Sequence, residues 1–117
     1  MGFREIQLTK SSNCFTFSGT IKYNDLTHKA IIFLESTVKV TAKNSAVNVT
    51  TIPTGYRPVE FLYGFCHNDI GTNTSCQTKA YMIDKTGDIT VRNANAPTSA
   101  TSSSGYTSCC IYREYYY

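Results

Sequence analysis

Apolar and polar residues alternate along most of this chain. In "CFTFSGTIKY", residues 14–23, Phe15, Phe17, Ile21 and Tyr23 share one side, and Thr16, Ser18, Thr20 and Lys22 take the other. That is the period of a half-buried strand. "HKAIIFLES", residues 28–36, is apolar on both sides in its middle, which predicts a central strand covered on both faces. Asn24-Asp25 between the two runs is turn chemistry. A Thr/Val-rich stretch after Glu35 has room for two short strands. In "VEFLYGFCHND", Val59, Phe61, Tyr63 and Phe65 alternate onto one face. "CQTKAYMID" and "DITVRNA" flank Lys85-Thr86-Gly87, where a glycine can supply the positive φ of a hairpin turn. The low-complexity run "PTSATSSSG", residues 97–105, reads as an exposed loop, and "YTSCCIYREYYY" as the last strand.

No stretch carries a capped 3.6-residue period. The pattern predicts an all-β chain, an antiparallel β-sandwich of jelly-roll type with about seven to nine short strands. Residues 14–117 form that one domain, and residues 1–13 read as an N-terminal arm or docking segment.

Composition agrees with strands. The 117 residues are 41% hydrophobic and 16% charged, with nine tyrosines and no tryptophan, a mixture that suits a pleated surface. A net charge of +3, spread along the chain, does not build the basic stripe that nucleic acid requires. No apolar run is long enough for a membrane-spanning helix, and the first ten residues lack the apolar core of a secretory signal. The expectation is a protein made in the cytosol that neither inserts into membranes nor binds nucleic acid.

Candidate chemistry is sparse. His28 and His67 are the two histidines, and no nucleophile elbow, HExxH or phosphate loop occurs. Cys66 and His67 are adjacent, so on a strand they point to opposite faces. The chain is therefore expected not to be an enzyme. Five cysteines, an odd number at irregular spacing, read as buried thiols, with no metal or other cofactor and with a Cys66–Cys76 bridge as the alternative. Asn48-Val-Thr and Asn73-Thr-Ser match the glycosylation pattern, as chance allows in so Asn- and Thr-rich a chain. The loops around residues 67–75 and 93–106 offer groups that stack on or hydrogen-bond to sugars, giving Asn68, Asp69, Asn73, Asn93, Asn95 and Tyr106 as ligand-binding candidates. Tyr112, Tyr115, Tyr116 and Tyr117 crowd the C-terminal strand on both faces. A strand wet on one side gains nothing from that, so these four are the candidates for a subunit interface.

"TIPTGYRP", residues 51–58, is the most distinctive phrase. Pro53 and Pro58 withhold N–H donors, so the segment cannot lie in a central ladder. Gly55 permits a sharp bend, Tyr56 can pin it to the core, and Arg57 can pair with a carboxylate or backbone carbonyls. The segment is expected to be a corner carrying the chain from one sheet to the other. With Ile83, Gly87, Ile89 and Val91 of the following hairpin, it resembles the C-terminal head, or receptor-binding-type, domains of phage tail fibre and baseplate proteins. The resemblance spans about residues 15–112. It implies a homotrimeric head in the virion, assembled in the host cytoplasm, contacting other virion proteins through its N-terminal arm and binding host cell-surface saccharide. Two other readings stand beside it, a capsid decoration or head-fibre protein that only attaches, and a secreted lectin-like adhesin domain.

Overall fold

The computed structural model describes residues 3–39, 46–66, 79–93 and 106–117, without the side chains of Lys39, Lys79, Asn93, Tyr106 and Thr107. Among the described residues the chain is all-β, with eight strands. They are β1 (Arg4–Gln7), β2 (Cys14–Asn24), β3 (Lys29–Lys39), β4 (Ala46–Thr51), β5 (Leu62–Phe65), β6 (Lys79–Ile83), β7 (Asp88–Asn93) and β8 (Tyr106–Tyr116). Two antiparallel four-stranded sheets result, ordered β1-β2-β3-β8 and β4-β7-β6-β5. This is the predicted sandwich architecture.

The inner faces meet in one core. Ile21, Tyr23, Ala30, Ile32, Leu34, Cys109, Ile111 and Tyr115 come from the first sheet, and Val49, Leu62, Tyr81, Ile83, Ile89 and Val91 from the second. Each side chain of Leu or Ile size contributes about 2 kcal/mol by leaving water. Alternation predicted Ile21 and Tyr23 inside, but Phe15 lies outside. A bulge between Cys14 and Thr16 shifts the register against Val38 and Thr37 and turns Phe15 to the other face. The long run at residues 28–36 is central, as expected, yet Phe33 on its outer face is exposed. Of the two strands expected after Glu35, the first is a continuation of β3 and the second is β4.

The turns follow their residues. Asn24 Oδ1 accepts from the N–H groups of Leu26 (2.9 Å) and Thr27 (3.3 Å). Between β6 and β7, Gly87 takes φ 88° and its N–H donates to Asp84 O at 2.9 Å. The Asp84 carboxylate accepts from the Thr86 hydroxyl and from the N–H groups of Thr86 and Asp88. Those bonds, the Thr86 hydroxyl's foremost, hold its pKa below the usual carboxylate range.

Residues 3–13 are not a separate arm. Arg4–Gln7 pair with Thr20–Tyr23 as an edge strand, and Leu8 is buried. Ser11 N–H donates to Val49 O (2.9 Å), its hydroxyl to Asn48 O (2.6 Å), and Thr50 Oγ1 to Thr9 O (2.6 Å). These bonds fasten the segment to β4, so it belongs to the sandwich.

Candidate functional site

The corner at residues 52–58 is built as its residues suggest but does not change sheets. It links β4 and β5, the two edges of one sheet, by crossing the end of the sandwich. Gly55 takes φ 101°, and Tyr56 N–H donates to Pro53 O at 3.2 Å. Arg57 Nε donates to Ile52 O at 2.9 Å, while Ile52 N–H donates to Gly87 O at 2.9 Å, joining the corner to the β6–β7 turn. The Tyr56 ring lies 4.6 Å from that of Tyr23 and 5.5 Å from that of Tyr117. Tyr115 Oη donates to Tyr56 O at 2.7 Å. The C-terminal tyrosines thus hold the corner down.

This accounts for half of the tyrosine cluster. Tyr115 is a core residue of this chain, so it is corrected from the interface set; its hydroxyl, buried away from water, ionises far less readily than a free phenol. Tyr117 is half-buried, and burial together with the bond from its hydroxyl to Asp25 Oδ1 (3.0 Å) pushes its pKa up to about 12. Tyr112 and Tyr116 project outward, as alternation requires.

Strand β5 adds a second exposed row. Tyr63 and Phe65 lie on its outer face, because Leu62 and Cys66 occupy the inner, and Val59 and Phe61 are exposed in the segment that leads into it. With Tyr112 and Tyr116, these six side chains are each 48% to 71% exposed. Phe61 and Tyr63 stack at 6.2 Å and 22°, and Tyr112 meets Phe33 edge-on at 6.3 Å.

The two rows flank the edge at which β5 and β8 end their sheets, Tyr112 and Tyr116 on the outer face of one sheet and Tyr63 and Phe65 on the outer face of the other. Contacts among the described residues join the two edges. Val59 N–H donates to Tyr116 O (3.1 Å), Arg113 Nη1 donates to Tyr63 O (3.0 Å), and Cys66 Sγ lies 3.6 Å from Cys109 Sγ. Residue numbers rise along β5 as they fall along β8, so the two edges run antiparallel, closed by these ties rather than by a ladder. Arg113, reaching across to a carbonyl of the facing edge strand, occupies an acceptor that a further strand would use.

A cleft of about 240 Å³ opens at the Val59–Tyr116 end. Tyr116 and Val59 supply apolar wall, and Lys29, Glu60, Arg113 and Glu114 supply charge. Lys29 Nζ and Glu114 Oε2 pair at 3.5 Å on its rim. Ring faces beside carboxylates and a guanidinium can stack on a small polar ring and hydrogen-bond to its hydroxyls.

The ligand-binding candidates Asn68, Asp69, Asn73 and Asn95 lie outside the described residues, as does the run 97–105, expected to be a loop. Asn93 ends β7 and Tyr106 begins β8, so the backbone places both at strand termini. Residue-by-residue reading missed Glu60, Phe61, Tyr63, Arg113 and Glu114. The signal was the alternation of Val59, Phe61, Tyr63 and Phe65, but period alone does not tell which face is buried. Among the described residues, no three His, Cys, Asp or Glu side chains converge as a metal site would need. Compared with known proteins, the chain matches no family and no characterised protein.

Proposed function

We propose that this chain is a non-enzymatic phage virion protein, the head domain of a tail fibre or baseplate protein, which assembles as a homotrimer and holds host cell-surface saccharide. The carrying observation is the pair of aromatic rows along the β5 and β8 edge, with the charged cleft at one end. Exposed aromatic side chains stand in two rows, one on the outer face of each sheet beside the edge they share, and burial of these rows between copies would remove them from water. The cleft is smaller than a drug-sized pocket, which suits a single sugar ring held weakly, and three such sites on one head convert weak contacts into avidity.

Light scattering and binding of labelled protein to host cells and purified wall glycans test this reading. A trimer that binds both is expected. A monomer overturns the assembly, and a trimer that ignores both surfaces overturns saccharide binding in favour of a decoration protein that only attaches.

A further inference from the structure

We infer that Cys66 and Cys109 form a disulfide site that staples the two sheets together when the protein meets an oxidising medium. Cys66 directly follows β5 on one sheet, and Cys109 lies within β8 on the other. Both side chains are buried, and their sulfurs stand 3.6 Å apart in a thiol–thiol hydrogen bond. A disulfide needs about 2.05 Å between sulfurs, so the two side chains must together yield roughly 1.5 Å, within reach of small χ1 adjustments. Among the described residues, the other two cysteines stand elsewhere. Cys14 donates to Val49 O at 3.4 Å, near the start of β2, and Cys110 points to the opposite face of β8 from Cys109.

The staple completes the edge described above. The backbone bond from Val59 to Tyr116 ties one end of the β5–β8 seam and Arg113 its middle, while the thiol pair ends the row. It also joins residues 43 positions apart in the chain, a separation at which a cross-link restricts the unfolded chain strongly.

The chemistry takes a low-molecular-weight disulfide such as oxidised glutathione as oxidant. The thiolate of Cys66, the less buried of the two, attacks one glutathione sulfur and expels the other as a thiolate. The Cys109 thiolate then attacks the Cys66 sulfur of the mixed disulfide and expels the second glutathione. Two protein thiols lose two protons and two electrons, and one glutathione disulfide becomes two thiols. A reducing cytosol opposes this step and the extracellular medium favours it. The inference stands whether or not the protein binds saccharide.

The test treats folded, reduced protein with oxidised glutathione, then unfolds it, alkylates it and maps its peptides. Two fewer alkyl groups, a Cys66–Cys109 linked peptide, and a melting temperature higher by about 10 °C that dithiothreitol reverses are expected. Cys66→Ala and Cys109→Ala should each lose the shift, and Cys76→Ala should keep it. Full alkylation after oxidation, or a peptide linking Cys66 to Cys76 instead, overturns the inference. Should an alanine variant fail to fold, the wild-type peptide map alone decides.

Discussion

Gly87 and Gly55 both hold positive φ, yet their surroundings differ. A Cβ on Gly87 would stand 2.6 Å from Ile52 O and 2.8 Å from Arg57 Nε, whereas one on Gly55 would meet nothing within 4 Å. Gly55→Ala therefore carries backbone strain alone, about 1 kcal/mol, and Gly87→Ala adds steric overlap for a loss of about 3 kcal/mol or more. Urea unfolding of the two variants should rank them so. The tyrosines give a second prediction at this scale. The Tyr115 and Tyr117 hydroxyls ionise at higher pH folded than unfolded, since burial penalises the phenolate. The stability they confer is fully present below pH about 10, where the unfolded phenols are still protonated, and fades as pH rises through about 12. Thermal melts between pH 8 and 12 should fall in that window, and Tyr115→Phe should flatten the fall. Both glycines were legible in the sequence, because a Pro-bounded corner and a tight hairpin need that freedom. Phe15 was not: one bulge, set by the pairing of β2 with β3, decides its face, and no local pattern announces it.

Strands with one clean apolar face were legible, and strands defined by their neighbours were not. "REIQ" in β1 offers only Ile6 as an apolar residue, so its alternation is too weak to separate an edge strand from an arm. Pairing with β2 and the bonds from Ser11 and Thr50 make it structural. Deleting residues 1–10 removes Leu8 from the core, about 2 kcal/mol by itself, and takes away the Thr9 carbonyl that the buried Thr50 hydroxyl uses. A melting temperature lower by more than about 10 °C is expected, measured by circular dichroism; an unchanged melt would mean that the pairing with β2 and β4 contributes nothing to stability. The corner teaches a related lesson. Pro53, Gly55 and Pro58 identify a bend from their own chemistry, but whether it joins two sheets or two edges of one depends on strand order, which local residues do not encode.

For the whole molecule, the proposed assembly and the proposed saccharide binding draw on different side chains beside one edge, so the two proposals can be tested apart. Phe61, Tyr63 and Tyr112 belong to the aromatic rows and do not line the cleft, while Glu60 and Glu114 line it and add little apolar area. None of the five side chains belongs to the core. Replacing Phe61, Tyr63 and Tyr112 together with Ser should leave the far-ultraviolet spectrum unchanged and shift light scattering from trimer to monomer, because an interface loses its apolar centre. Replacing Glu60 and Glu114 with Gln should leave the trimer and weaken glycan binding about tenfold or more, since each loses a charge-assisted bond to a hydroxyl. The loss of Glu114 also breaks a rim ion pair with Lys29, but exposed pairs of that kind contribute under about 1 kcal/mol. If the Ser variant remains trimeric, the copies meet through another face; if the Gln variant binds glycan unchanged, the saccharide sits elsewhere, with Asn68 and Asn95 the next residues to substitute.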